Sequence, residues 1–403
     1  GGEKKEAGKN KSDNNQRAVF LPKRHQPYFI MTQKQLAALI LVIVSVASLI
    51  AVGKNLARQE TTLLPVGELK EASFYEQLGN GEVRCTLCPN FCVLKEGERG
   101  ICRVRQNIKG KLYSLIYGKP ATIHIDPIEK KPFYHFLPGT KVFSLASAGC
   151  NLRCKYCQNW DIAQRGPEEL TSMEKSPEQI VEEAIQSGAP SIAITYSEPV
   201  VNYEYVLDIA KEAKKRGVKT TIVSAGYINP QPLRELLPYL DAVKIDLKGF
   251  NDSFYREIVG GQLAPVLETL KVIKQEGTWF EIVYLVVPGY NDDLKEIEEM
   301  AIWIKDNLGE NVPLHFSRFH PMYQMKNLPP TPEETVKKAR KIALEAGLKY
   351  VYTGNIADVE GSTTYCSVNG QPLIVRKGYF IQKNSLVNGQ FADCPEKVPG
   401  VWQ

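Results

Sequence analysis

The chain has 403 residues of ordinary globular composition and a formal net charge of +5. Seven Lys/Arg against three acidic residues place +4 of that in residues 1–30, so the body is nearly neutral and offers no basic surface for nucleic acid. The nine cysteines fall as groups of four, three and two, which points to metal ligation in a reducing compartment and away from scattered disulfides.

Residues 1–35 are polar and basic and read as a disordered tail. From Leu36 to Val52 run seventeen residues without a charge, near the lower limit of the ~20 that cross a bilayer. We read 36–53 as an uncleaved membrane anchor. The alternative is a signal-peptide core, with Ala51-Val52-Gly53 as its cleavage-like site. With a start at Met31, Lys34 precedes the span and Lys54 and Arg58 follow it, which puts the C-terminal body in the cytoplasm. Counting residues 1–30 reverses that orientation, and the expectation is that they are an upstream artefact. Residues 54–80 read as a linker with a short helix from Glu68 to Leu78.

A cysteine module and β extension follow over 81–140. Cys85, Cys88, Cys92 and Cys102 can make a closed thiolate site, and zinc or a second 4Fe–4S cluster fits four sulfurs equally well. Alternation from Lys111 to Phe136 (Leu112, Ser114, Ile116, then Thr122 to Ile125) predicts strands. Pro127 and Pro132 forbid a helix across the segment between them. His124 and His135 are candidates for substrate or cluster contact, although most histidines in such places are hydrogen-bonded structural residues.

The core spans 141–355. A strand from Val142 to Ala146 leads into Ser147-Ala148-Gly149-Cys150-Asn151-Leu152-Arg153-Cys154-Lys155-Tyr156-Cys157. Three thiolates this close can bind three irons of a cubane and leave the fourth open, whereas zinc would want a fourth ligand nearby. Helices then alternate with strands at Ser191–Thr195, Thr220–Ser224, Ala242–Asp246, Phe280–Val287, Leu314–Phe319 and Tyr350–Tyr352. Repeated βα units imply a parallel sheet with helices outside it, an α/β fold whose site lies at the C-terminal ends of the strands. The polar residues at those ends include Glu198, Ser224, Asp246, Lys248 and His320.

Cys-x3-Cys-x2-Cys, with the aromatic Tyr156 before its last cysteine, resembles the radical S-adenosylmethionine (SAM) superfamily. The resemblance implies a partial (β/α)6 barrel, a 4Fe–4S cluster on Cys150, Cys154 and Cys157, and SAM on the open iron. It also implies roles for other residues. Glu198 falls where the family's Gly-Gly-Glu motif meets the methionine amino group, although Tyr196 and Ser197 replace the glycines. Asp246-Leu247-Lys248 resembles the Asp-Leu-Lys of glycyl-radical activases, where the lysine meets the SAM carboxylate. Tyr156, Ser224 and His320 are the remaining expected cofactor contacts. The blocks RCTLCPNFC, DPIEKKPFYHFLPG, SAGCNLRCKYCQNWDIAQ, TYSEP, PLHFSRFHPMYQM and YVYTGN resemble enzymes of the AmmeMemoRadiSam system, relatives of pyruvate formate-lyase activating enzymes.

Residues 356–403 look like a zinc-ribbon tail missing half its ligands. Cys366 and Cys394 remain, but Asn369 and Lys397 stand at the second positions. Two thiolates do not complete a zinc site, and a reducing setting disfavours pairing them. The reading is therefore an oxidoreductase that cleaves SAM reductively and abstracts hydrogen from an unidentified substrate, fed by a low-potential electron donor. Glycyl-radical activation is one form of it. The alternative is a membrane-tethered electron-transfer or partner-binding protein without turnover.

Overall fold

The computed structural model describes residues 32–34 and 69–402. The anchor expected over 36–53, nearly all of the basic tail and most of the linker lie outside the described residues. Among the described residues no helix is long and apolar enough to cross a membrane. The chain divides into units 1–64 and 65–403, and the second holds the front cysteine module, the core sheet and the C-terminal tail.

The front module is built of short strands: β1 (Lys70–Glu71), β2 (Tyr75–Gln77), β3 (Val83–Cys85), β4 (Val93–Leu94), β5 (Arg105–Ile108) and β6 (Lys111–Ser114). They form two three-stranded sheets, ordered β1-β6-β5 and β2-β3-β4. The helix expected from Glu68 to Leu78 is not formed over its described residues, where β1 and β2 stand instead. Pairing with β6 and β3 and burial of Ala72 and Phe74 outweigh local helix propensity there. The module is tied to the core by Asn229, whose side-chain amide donates to Thr86 O at 2.7 Å, and by Asn90, which donates to Asn151 O at 2.8 Å.

The core sheet comprises β7 (Thr122–Pro127), β8 (Lys141–Ala146), β9 (Ser191–Ile194), β10 (Lys219–Ser224), β11 (Ala242–Asp246), β12 (Trp279–Val286), β13 (Leu314–Arg318) and β14 (Val351–Gly354). They lie side by side in sequence order. Strands β8 to β14 run parallel and β7 is antiparallel to β8. A turn of 3-10 helix, Ile128–Lys130, fits between the two prolines after β7. Strands such as β9 are buried on both faces because helices cover the outside.

Local chemistry explains those helices. Pro177–Gln186 starts with a reciprocal cap between Ser176 and Gln179 and buries Ile180, Val181 and Ala184. Leu294–Leu308 starts at Asp293, which accepts from Lys295 N and Glu296 N, and buries Ile297, Met300, Ala301 and Ile304 at helical spacing. Side chains from β10 to β14 line one cavity, so the sheet curves around it; β14 and β7 do not pair, and the barrel is open.

The tail forms the sheet β15 (Thr364–Tyr365), β16 (Pro372–Lys377) and β17 (Phe380–Asn384). Cys366 and Cys394 are joined as a disulfide, the pairing that a reducing setting disfavours. Folding of the tail brings their Cα atoms to 5.8 Å, within disulfide reach. The fully buried Arg376 fastens the tail, donating to Tyr134 O at 2.8 Å and to Thr364 Oγ1 at 2.9 Å.

Candidate active site

The cysteine loop leaves β8 through Gly149, whose φ of +93° favours glycine. A Cβ there would lie 2.7 Å from Cys102 O and from a Val104 methyl, so the front module also demands a glycine. The loop is then held by backbone bonds from Arg153 N to Val259 O (2.8 Å) and Lys155 N to Ile258 O (2.9 Å). Asn151 adds a side-chain bond to Tyr227 O at 2.7 Å. Cys150, Cys154 and Cys157 are free thiols facing a cavity of about 930 Å³. Three thiols on one loop, with open cavity beside them and no fourth cysteine among the residues that line it, fit a polynuclear cluster with a free position.

The same cavity is lined by Tyr156, Glu198, Ser224, Asp246 and Lys248, so the loop and the ends of three strands meet. Glu198 accepts from Ser224 Oγ (2.6 Å), Ala225 N (2.9 Å) and Val200 N (3.2 Å). Burial still pushes its carboxyl above the usual range, against those donors. Asp246 lies between two lysines, 2.8 Å from Lys244 Nζ and 3.0 Å from Lys248 Nζ. Burial works to raise the Asp246 carboxyl, but the two ammonium groups outweigh it and hold it well below its ordinary value. Burial likewise works to lower Lys248, while Asp246 and the Cys154 thiol drive its net shift upward. Lys248 thus stays charged beside the cysteine loop. Its backbone is fixed by Asn291, which donates to Lys248 O at 2.8 Å.

Tyr196 occupies the position where the resemblance implies a glycine, and it keeps the left-handed conformation, φ +65°. That conformation costs a non-glycine residue ~1 kcal/mol. It is over-determined by the Tyr196 hydroxyl bond to Asp126, by Asn159 Nδ2 donating to Tyr196 O (2.9 Å) and by Ser197 Oγ donating to Ser147 O (2.6 Å).

Three expected contacts fall elsewhere. His320 is exposed and does not line the cavity, because β13 ends at Arg318 and Phe319 turns into the core, leaving the next side chain in solvent. His135 is fully buried beneath the tail, with its two ring nitrogens 2.7 Å from Pro399 O and 2.6 Å from the Tyr352 hydroxyl. His124 pairs with Thr122 on the exposed part of β7.

Sequence reasoning missed Lys131, Lys244 and His315, which line the same cavity. Behind His315 sits Glu281, whose carboxylate accepts hydrogen bonds from His315 Nε2 at 2.7 Å and from the N–H groups of Tyr134 and His135. Burial lowers the His315 pKa against the pull of Glu281, and His315 Nδ1 has no hydrogen-bond partner among the described residues. The signal was present in the sequence. Val243-Lys244-Ile245, Phe280-Glu281-Ile282 and Leu314-His315-Phe316 each set one ionisable residue inside an apolar strand, and β11–β12 register pairs Lys244 with Glu281.

The profile of the radical SAM superfamily matches residues 145–302. An uncharacterized protein of Methanocaldococcus jannaschii is 48% identical over 308 residues, covering 76% of this chain and 92% of that protein. The chain is a radical SAM enzyme. It is also homologous to the pyruvate formate-lyase 1-activating enzyme of Escherichia coli K12, 25% identical over 221 residues, or 51% of this chain and 89% of that one. The activating enzyme of Clostridium pasteurianum is 27% identical over 211 residues, 49% and 87% of the two chains. A solved domain of a pyruvate-formate lyase-activating enzyme from Bacteroides vulgatus aligns with a TM-score of 0.37 at 16% identity, over 40% of this chain and 98% of that one. The family of this radical SAM enzyme implies a 4Fe–4S cluster and SAM as its cofactors.

Proposed function

We propose that this radical SAM enzyme holds its cluster on Cys150, Cys154 and Cys157 and uses it to start hydrogen abstraction from a substrate. The observation that supports the reading is that these three thiols, the Glu198 carboxylate and the Lys248 ammonium face one cavity of about 930 Å³. Cys150, Cys154 and Cys157 would hold the cluster, which when bound and reduced would supply the electron for reductive cleavage of SAM and so for hydrogen abstraction. Glu198, oriented by Ser224, pairs with the SAM ammonium, and Lys248 pairs with its carboxylate. Asp246 holds Lys248 in place, and Tyr156 backs the cysteine loop by stacking on Phe254. The far wall, with Lys131, Lys244, His315 and the tail residue Tyr379, receives the substrate.

Homology to activating enzymes favours glycyl-radical activation as the form of abstraction. Membership in the AmmeMemoRadiSam system belongs to this proposal and names no substrate. So do a low-potential electron donor and attachment to the membrane through residues 36–53 with the body in the cytoplasm. The test is anaerobic. Reconstituted enzyme given SAM and a strong reductant is expected to release 5'-deoxyadenosine, and Cys154→Ala to release none. A cluster that forms without yielding 5'-deoxyadenosine would sink the assignment and favour a tethered electron-transfer or partner-binding protein.

A further inference from the structure

Four more free thiols share a second, enclosed cavity of about 20 Å³. It is lined by Cys85 at the end of β3, Cys88 and Cys92 on the loop to β4, Cys102 before β5, and also by Gly100, Arg105 and Asn151. Ile101 N lies 3.5 Å from Cys92 Sγ, at the edge of this group. A backbone donor to sulfur recurs in the catalytic loop, where Leu152 N lies 3.4 Å from Cys150 Sγ. Such donors are worth most to a thiolate, so both groups are prepared for metal.

Arg105 is the second observation. Its guanidinium is 1% exposed and lines the cavity; Nη2 pairs with Glu204 at 2.5 Å and Nε donates to Val201 O at 3.2 Å, while Nη1 has no partner. Glu204 balances the charge, but a buried N–H left without an acceptor is still costly, and thiolates beside it would supply one. Zinc and an iron–sulfur cluster both suit four sulfurs; the thiols line a void that admits a water-sized sphere, and the metal assay below separates the two.

We propose that Cys85, Cys88, Cys92 and Cys102 ligate a second iron–sulfur cluster, closed by four thiolates and therefore without an iron for SAM. It abuts the catalytic loop: Asn151, next to Cys150, lines its cavity, and Cys102 O presses against Gly149.

The test uses the full chain, reconstituted anaerobically with iron and sulfide and assayed for iron, zinc and sulfide. Wild type is expected to hold about eight irons, and the triple variant Cys150→Ala/Cys154→Ala/Cys157→Ala about four. The reduced triple variant should give an iron–sulfur electron paramagnetic resonance signal that SAM does not move. Cys92→Ser, at the half-buried ligand, should weaken or alter that signal. A triple variant that holds zinc, or folds with no iron, overturns the proposal. Failure of wild type to release 5'-deoxyadenosine leaves this result intact, because the triple variant reports the second site alone.

Discussion

Ser224 donates its hydroxyl proton to Glu198 across 2.6 Å, so the end of β10 orients a carboxylate presented by the loop after β9. Ser224→Ala removes one hydrogen bond to a charged group, and SAM affinity should fall ~10-fold. Glu198→Gln should cost more, since it removes the charge itself. Equilibrium binding of SAM to cluster-loaded enzyme measures both, and unchanged affinity in Glu198→Gln would falsify the ammonium-pairing role.

Asp246 pairs with Lys244 and Lys248 together. Asp246→Asn would leave two buried ammonium groups facing one another. The Asp246 side chain keeps 30% of its area open to the cavity, so screening should hold the loss of stability to ~2 kcal/mol, below the usual cost of breaking a buried pair. Urea unfolding should show this loss, and adding Lys244→Met should restore part of it. No recovery would mean that Asp246 acts through something other than these charges.

His135 carries a prediction for acid. Burial lowers its pKa to about 4 from the ordinary 6.5, with Glu281 opposing the shift. Between those values the unfolded chain binds a proton that the folded chain refuses. Its contribution is therefore intact above pH ~6.5 and is lost as pH falls, reaching ~3 kcal/mol near pH 4. His135 also accepts Val401 N at its carbonyl oxygen and so holds the chain end. The non-titrating His135→Gln should flatten this part of the stability curve relative to wild type. Parallel curves would show that the proton goes elsewhere.

The two histidines near β13 should behave oppositely. His320→Ala alters an exposed side chain outside the cavity, and SAM binding and cleavage should stay within ~2-fold of wild type. His315→Gln alters the far wall, and SAM binding should survive while product formation from true substrate falls at least ~10-fold. Until that substrate is found, the measurable halves are SAM affinity in both variants and 5'-deoxyadenosine release in His320→Ala. A His320→Ala enzyme that folds but no longer cleaves SAM would restore His320 to the site.

Much of this was legible along the chain, because the determinants are local. The seven parallel strands follow from apolar runs separated by amphipathic helices, and the cysteine loop from spacing within eight residues. Glu198, Ser224, Asp246 and Lys248 could be found because a parallel sheet delivers the ends of its strands to one rim.

What sequence alone could not decide depends on contacts across the chain. Pairing with β6 and β3 made strands of the segment expected to be helical, and folding of the tail joined Cys366 to Cys394. Whether a histidine after β13 faces the cavity or solvent is set by where the strand stops and which neighbour takes the core, and that rule chose His315 over His320. Spacing grouped Cys85, Cys88, Cys92 and Cys102. Only the fold placed Arg105 and Asn151 beside them, because burial and unpaired donors are properties of surfaces brought together, not of neighbours in sequence.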